Sequence, residues 1–135
     1  MTPEKLIELA KKAMLCAYAP YSGYKVGAAL LCADGTVYQG ANIENASYGA
    51  TNCAERTAFF RAVYDGHREF TAMAICGGKD GVISGFFPPC GICRQVMMEF
   101  CDPDTFRIIL TNGKEIRSYT LAEILPLGFG PAKLD

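Results

Sequence analysis

The 135-residue sequence lacks the features that would place a protein in a membrane or on nucleic acid. It has no apolar run long enough to cross a bilayer, and residues 1–12 alternate charged and apolar side chains where a signal peptide would have a hydrophobic core. Its formal net charge is −1 and no basic run occurs, so neither nucleic acid nor an anionic membrane is an expected partner. No linker, repeat or low-complexity tract divides the sequence, and we expect one domain over residues 1–135.

Cysteine, by contrast, is abundant. The sequence has seven cysteines but only one histidine. An odd number of cysteines without a secretory signal argues against a disulfide framework, so a reducing cytoplasm is the expected location. In that compartment, a closely spaced pair of cysteines indicates a metal site or redox chemistry.

Hydrophobic periodicity and turn signals predict an alternation of helices and strands. The predicted elements are, in order, a helix ending before Pro20, a hairpin around Asp34-Gly35, a helix over 53–64, a buried strand at "FTAMAICGG", a helix over about 90–101, a hairpin around Asn112-Gly113 and a short helix at "LAEIL". This order predicts an α/β fold in which helices cover both faces of a five-stranded mixed sheet, a three-layer α/β/α arrangement. The second hairpin makes the C-terminal strand pair antiparallel.

Three of the cysteines lie where predicted helices begin. Cys53 opens one helix in "NCAERT", and Cys90 and Cys93 open another in "PPCGICRQV". The partial positive charge of a helix N-terminus lowers thiol pKa values and favours thiolates. Because sites in open α/β sheets collect at strand ends and helix N-termini, the three thiolates are predicted to share a zinc ion.

The other cysteines and the histidine are not expected to supply a fourth ligand. Cys101 lies two helical turns beyond the pair, about 12 Å along the axis. Cys16, Cys32 and Cys76 occupy apolar patterns typical of small buried thiols, and His67 follows a helix end, where exposure is expected. Three protein ligands leave one position for water, as in catalytic zinc sites, where the metal lowers the pKa of water to about 7.

Glu55 lies in the first helical turn beside Cys53 and is the candidate proton carrier. A glutamate at this position can also serve only the helix dipole, a contribution of about 0.3–1 kcal/mol. Next to a three-thiolate site we favour general acid–base catalysis, which typically contributes about 10²–10⁴-fold in rate. Arg56 and Arg94 could donate hydrogen bonds to the thiolates and moderate their donation to the metal. The alternative is that they are surface arginines, and for Arg94 the two interpretations stay equally open.

Five stretches in sequence order carry a resemblance to a known family: "YAPYSGYKVGAAL", "GANIENASYG", "NCAERTA", "PPCGICRQV" and "ILPLGFGP". They are similar to the motifs of the cytidine deaminase family, specifically the small homotetrameric enzymes that act on free nucleosides. The resemblance covers nearly the whole chain and implies a cytidine deaminase-like fold. It also implies hydrolytic deamination of cytidine and deoxycytidine to uridine and deoxyuridine, by the zinc mechanism of that superfamily.

The resemblance assigns roles to matching positions of this sequence. It implies one Zn²⁺ per chain, bound by Cys53, Cys90 and Cys93, with Glu55 moving protons. It implies nucleoside-binding roles for Asn42 and Glu44 at the ribose hydroxyls, the main chain of Ala54 at the pyrimidine edge, Tyr24 near the base, and Tyr48 and Phe129, which are expected to reach a neighbouring subunit's pocket. The expected partners are therefore a nucleoside and further copies of this chain, in a homotetramer with shared active sites.

Three features depart from the family pattern. Tyr24 stands where the family usually has phenylalanine, Ile92 replaces a commoner alanine, and the connection over 77–88 is a few residues longer than usual. These departures affect the expected pocket rather than the zinc chemistry.

Two alternatives remain open from the sequence. One is a non-catalytic zinc or redox module, in which Cys90 and Cys93 form a reversible disulfide. A redox role would leave Cys53 and Glu55 without a task. The other is a related deaminase that acts on a nucleotide, a nucleoside antibiotic or a base in nucleic acid. A phosphate or polynucleotide ligand favours a basic loop, and none occurs near "NIENASYG".

Overall fold

Five strands form one sheet in the computed structural model, which describes residues 1–134. The strands are β1 (Tyr24–Cys32), β2 (Val37–Ala41), β3 (Phe70–Lys79), β4 (Arg107–Thr111) and β5 (Ile116–Thr120), and the helices are α1 (Pro3–Met14), α2 (Ala54–Tyr64), α3 (Gly91–Phe100) and α4 (Leu121–Ile124). Short 3₁₀ turns cover Tyr48–Ala50 and Pro131–Leu134. The strand order is β2-β1-β3-β4-β5, with β3 and β4 parallel and the other neighbouring pairs antiparallel. The predicted mixed sheet and its antiparallel C-terminal pair are confirmed.

Helices cover both faces of this sheet, as the sequence predicts. On one face, α1 buries its apolar stripe against residues of β1 and β3 such as Ala29 and Ala74. On the other face, Phe59 of α2 and Met97 of α3 pack in the core that contains Leu30. Because successive side chains of a strand point to opposite faces, Ala29 and Leu30 belong to different cores.

The close approach of α2 to the sheet depends on Gly40 in β2. A Cβ atom at this position would lie 2.3 Å from the carbonyl oxygen of Ala54 and 2.5 Å from the main-chain nitrogen of Ala58. Only glycine allows two backbones to approach so closely. The contact fixes the start of α2, where Cys53 and Glu55 lie, against the sheet.

The local signals in the sequence place most boundaries within a residue or two. Both hairpins are present, with a glycine at positive φ in each turn. The helices predicted over 53–64 and 90–101 begin one residue later, because Cys53 and Cys90 have extended backbone and occupy the N-cap positions. Across residues 1–134, every helix is too short or too polar to span a bilayer.

The remaining cysteines and the histidine lie only partly where the sequence suggests. Cys32 and Cys76 are buried, but Cys16 is exposed, because α1 ends before it and leaves it in the following turn. The prediction of a buried Cys16 is therefore wrong. His67 is half-buried, with 23% of its side-chain surface accessible, because its ring packs edge-on to the ring of Tyr38 at a centroid distance of 5.3 Å.

Candidate metal centre and substrate pocket

Three sulfur atoms come together where α2 and α3 begin. The Sγ atoms of Cys53 and Cys90 lie 3.8 Å apart, those of Cys90 and Cys93 lie 3.5 Å apart, and all three lie within 4.8 Å of one another. Tetrahedral zinc with sulfur ligands at about 2.3 Å places those ligands about 3.8 Å apart. The cluster therefore fits one zinc ion, and within residues 1–134 no other cysteine, histidine or carboxylate belongs to it.

The electrostatics of the cluster favour a thiolate at Cys53, whereas the hydrogen bond with Cys53 raises the pKa of Cys93. Cys53 and Cys90 are N-cap residues whose side chains make no capping hydrogen bond, so the first-turn N–H groups of both helices keep their partial positive charge available to the sulfurs. A hydrogen bond from the Cys93 thiol, together with the Arg56 guanidinium, lowers the pKa of Cys53 to about 5, although burial opposes this shift. The thiolate is the form of cysteine that binds metal.

The two arginines singled out in the sequence have different partners. Nη2 of Arg56 donates a hydrogen bond to Sγ of Cys53 at 3.3 Å. Arg94 donates instead to main-chain carbonyls, from Nε to Pro89 at 2.8 Å and from Nη1 to Ile124. Among the hydrogen bonds of residues 1–134, none joins Arg94 to a sulfur. The structure thus brings Arg56 to the cluster, whereas Arg94 ties the start of α3 to the end of α4.

Glu55 is buried in the first turn of α2, with only 4% of its surface exposed. Burial, together with the negative charge on Cys53, raises the pKa of its carboxyl to about 7. A carboxyl with this pKa can both take up and release a proton near neutral pH. A glutamate that served only the helix dipole would favour exposure, because burial penalises its charged form. The position of Glu55 therefore favours acid–base chemistry.

A pocket of about 200 Å³ is lined by Glu55 and by two cysteines of the sulfur cluster, Cys53 and Cys90. Its lining includes residues that the sequence predicts for the site, namely Tyr24, Asn42, Cys53, Ala54, Glu55 and Cys90. Sequence reasoning did not single out Ser22, Thr51, Phe87 and Pro88, which also line it. Ser22 lies in one of the motifs that carry the family resemblance, but a serine at this position does not by itself indicate a contact with the pocket. Phe87 comes from the long connection over 77–88 and supplies an apolar wall.

Asn42 is buried in the pocket wall and bonded to β1. Its Oδ1 accepts a hydrogen bond from the main-chain N–H of Val26 at 2.8 Å, and its Nδ2 donates to the carbonyl of Tyr24 at 2.8 Å. The amide therefore takes the place of a neighbouring strand at the start of β1. One lone pair and one N–H of the side chain remain for a ligand.

Glu44 is held by the loop that precedes β1. Its Oε1 accepts hydrogen bonds from the main-chain N–H groups of Tyr21 at 2.9 Å and Ser22 at 3.1 Å, and its Oε2 accepts one from the Ser22 hydroxyl. These bonds from Ser22 and Tyr21 lower the pKa of the Glu44 carboxyl. Each carboxylate oxygen has two lone pairs, so Oε1 is saturated and Oε2 can accept one further hydrogen bond.

Of the residues that depart from the family pattern, Tyr24 lines the pocket and Ile92 does not. Tyr24 lines it, with its ring 6.1 Å from that of Phe87 and 5.5 Å from Nζ of Lys79. Because Tyr24 is 45% exposed, its hydroxyl does not require a buried partner. Ile92 is 62% exposed in the first turn of α3 and is not among the residues that line the pocket.

Tyr48 and Phe129 lie outside the pocket of the single chain. Tyr48 is 78% exposed in a 3₁₀ turn, and Phe129 is 58% exposed in the C-terminal segment. The carbonyl of Phe129 accepts a hydrogen bond from Nε2 of Gln95 at 2.8 Å, which fixes this segment beside α3. Both rings are thus displayed at the surface on anchored backbone.

Comparison with known proteins identifies the family of this chain. Residues 1–108 match the model of the cytidine and deoxycytidylate deaminase zinc-binding region. The chain belongs to this family. It is 52% identical over 136 residues to a cytidine deaminase of Sporosarcina psychrophila, covering 100% of this chain and 96% of that protein. It is 49% identical to a cytidine deaminase of Halalkalibacterium halodurans, covering 96% of this chain and 95% of that protein.

Solved structures of the family share the fold. The crystal structure of cytidine deaminase from Burkholderia pseudomallei has a TM-score of 0.87 to this chain at 49% identity, covering 96% of this chain and 100% of that one. The corresponding enzyme from Mycobacterium tuberculosis has a TM-score of 0.82 at 36% identity, covering 96% of this chain and 98% of that one. Zinc is the metal of the matched family region, and Cys53, Cys90 and Cys93 form the cluster that could hold it.

Proposed function

We propose that this chain is a hydrolase that deaminates cytidine and deoxycytidine to uridine and deoxyuridine, with release of ammonia, in pyrimidine salvage. The observation that carries the proposal is the buried Glu55 carboxyl in one pocket with cysteines of the three-sulfur cluster. Family membership and the names of the relatives support the same reaction.

Each group near the sulfur cluster has a separate task. Zinc, when bound by Cys53, Cys90 and Cys93, supplies a Lewis acid that makes water acidic near neutral pH. Glu55 takes one proton of the attacking water and gives it to ring N3 while the water oxygen bonds to C4. Glu55 then carries the second proton to the exocyclic amine, the C4–N bond breaks, and ammonia leaves. Arg56, through its hydrogen bond to Cys53, reduces the negative charge that this sulfur presents.

Glu44 accounts for the recognition of the sugar. Its Oε2 has one lone pair free, so it accepts a hydrogen bond from one sugar hydroxyl rather than from a diol. A site that binds one hydroxyl common to ribose and deoxyribose accepts both nucleosides. Asn42 forms one further hydrogen bond to the sugar through its remaining N–H or lone pair. The main chain of Ala54 holds the pyrimidine edge, and the ring of Tyr24 lies near the base.

The active sites are shared between copies of the chain in a homotetramer. The pocket of the single chain, about 200 Å³, is smaller than the roughly 300–1,000 Å³ of most small-molecule sites. Tyr48 and Phe129 are exposed aromatic side chains on anchored segments, and a neighbouring subunit's pocket would desolvate them. Tyr18 and Tyr64 are also exposed at 56% and 91%, as expected of surfaces covered in an oligomer.

The expected cellular location and partners follow from the same chemistry. A site that needs three reduced thiolates suits a cytoplasmic location, and the net charge of −1 gives no reason to expect nucleic acid or a membrane as partner. The whole chain, residues 1–135, acts as one catalytic domain.

An ultraviolet assay of four compounds tests the proposal. Cytidine and deoxycytidine should be deaminated, whereas cytosine and deoxycytidylate should react poorly, and elemental analysis of the active protein should find one zinc per chain. Fully active protein without a transition metal, or zinc-loaded protein that leaves cytidine unchanged, would overturn the proposal. Sedimentation during the assay tests the shared sites separately, because an active monomer would contradict them.

A further inference from the structure

A second group of metal-ligating side chains lies at the far end of α2 from the sulfur cluster. It consists of Cys32, Asp34 and His67, whose Sγ, carboxylate oxygen and imidazole nitrogen all lie within 4.8 Å of one another. We call it the Cys32–Asp34–His67 cluster. Cys53 precedes α2 and His67 follows it. The 11 residues of that helix separate the two clusters by about 16 Å along its axis.

Local backbone structure fixes each of the three residues. Cys32 is the last residue of β1, and its N–H and C=O bond to Thr36 and Gly35 across the hairpin turn at 2.8 and 3.0 Å. Asp34 uses Oδ1 to accept the N–H of Thr36 at 2.9 Å, and its Oδ2 faces the imidazole of His67. The N–H of His67 bonds to the carbonyl of Ala62 at 3.0 Å and completes the end of α2. The cluster is therefore set by turn and helix-end geometry and does not depend on flexible surface loops.

The ligating atoms converge, and the one direct contact among their polar atoms is a long one. Nδ1 of His67 lies 3.7 Å from Oδ2 of Asp34, which is too long for a hydrogen bond. Within residues 1–134, neither the imidazole nor the Cys32 thiol makes a side-chain hydrogen bond. Two ligands at about 2.0–2.2 Å from a tetrahedral metal lie about 3.4 Å apart. The observed gap is thus close to that of two ligands on one ion.

The types of the three donor atoms indicate which class of metal ion the cluster would bind. Sulfur, imidazole nitrogen and carboxylate oxygen together are typical of zinc and similar transition metals, not of magnesium or calcium. A thiolate and a carboxylate also balance the charge of a divalent ion, so the complex would be neutral in a place where Cys32 is buried. The ring of Tyr38 packs against His67, and its hydroxyl donates to Asp65 at 2.6 Å, which holds the imidazole in position.

We propose that the Cys32–Asp34–His67 cluster is a second binding site for a divalent transition metal of the zinc class, with water in the fourth position. It is separate from the three-cysteine site, and its ligands come from the first hairpin and the end of α2. Its existence does not depend on the proposed deaminase reaction.

Metal stoichiometry of the whole protein tests the proposal. Protein that already holds its first equivalent of zinc is titrated with zinc chloride by calorimetry, and bound metal is counted after desalting. The wild type should take up a second equivalent. Asp34→Asn and His67→Gln should each weaken that second equivalent at least about tenfold, while both keep the first equivalent and the activity of the wild type.

Controls and a spectrum make the test specific. Asp104→Asn changes an exposed aspartate outside the cluster and should leave both equivalents in place. Cobalt(II) added as the second metal should show a sulfur-to-metal charge-transfer band that Cys32→Ala abolishes. Should Cys32→Ala fail to fold, Asp34→Asn and His67→Gln still decide the matter. A wild type that binds one equivalent only, or a second equivalent unaffected by Asp34→Asn and His67→Gln, would overturn the proposal.

Discussion

The Ser22 hydroxyl donates a hydrogen bond of 2.5 Å to Oε2 of Glu44 and accepts one of 3.0 Å from the main-chain N–H of Tyr24. This side chain therefore joins the loop before β1 to the loop after β2. It also orients the one oxygen of Glu44 that has a free lone pair. Since Ser22 and Tyr24 line the pocket, the orientation of Glu44 is set at the pocket wall.

Replacing Ser22 with alanine should raise the KM for cytidine by about three- to tenfold, with little change in kcat. The two N–H bonds from the loop keep Glu44 nearby, but its Oε2 loses its orienting donor. Steady-state kinetics measures the split, and Ser22→Thr, which keeps a hydroxyl, should restore most of the affinity. An unchanged KM, or a loss confined to kcat, would show that Ser22 does not position Glu44.

Replacing Glu44 with alanine should have a larger effect of the same kind, raising the KM by about 10- to 100-fold. The carboxylate is the proposed acceptor for one sugar hydroxyl, and alanine leaves that hydroxyl unpaired. The decisive comparison uses 2′,3′-dideoxycytidine, which lacks the 2′- and 3′-hydroxyls and so tests a contact between Glu44 and the ring hydroxyls of the sugar. Wild-type protein should prefer cytidine strongly, and the variant should not. Glu115→Ala, at another exposed glutamate, should behave as wild type; preserved discrimination in Glu44→Ala would refute the sugar assignment.

Replacing Glu55 with glutamine should preserve the fold and the zinc content but lower kcat by at least about 10²-fold. Glutamine has nearly the same shape, so the buried space stays filled, but an amide cannot carry the proton from water to N3 and the amine. Circular dichroism, elemental analysis and turnover of cytidine together check the prediction. Glu99→Gln, an exposed position on α3, is the matched control. A purified Glu55→Gln variant with near-normal turnover would exclude the proton-carrying role.

The parts of the molecule that the sequence predicted correctly are those with local signals. The signals for helix starts, for hairpin turns and for the Cys90–Cys93 pair act over short distances. Each determines the structure of residues only a few positions away in the sequence. The contacts that the sequence did not predict join distant segments. Ser22 and Glu44 are 22 positions apart, and the approach of His67 to the first hairpin depends on how α2 packs against β2. Such pairings follow from strand register and helix docking, which single residues do not encode.

Asn42 illustrates the same limit in a different way. Its place after β2 was visible in the sequence, and an amide there is compatible with a ligand contact. Its two hydrogen bonds to β1 depend on how the end of β2 aligns with the start of β1, so nothing in the sequence indicates that most of the amide is used within the fold. The residue type was predictable, but its remaining hydrogen-bonding capacity was not.

Replacing Gly40 with alanine should destabilise the protein by about 1–3 kcal/mol and lower its activity. The added Cβ would lie 2.3 Å from the Ala54 carbonyl oxygen, so α2 must move away from β2 and carry Glu55 with it. Thermal unfolding measures the stability. The kcat per bound zinc distinguishes a displaced Glu55 carboxyl, which lowers this value, from a loss of zinc, which does not. Gly85→Ala, where a Cβ would meet nothing within 4 Å, should leave both quantities unchanged. An unaltered melting temperature in Gly40→Ala would mean that α2 tolerates the shift and that this contact does not fix the site.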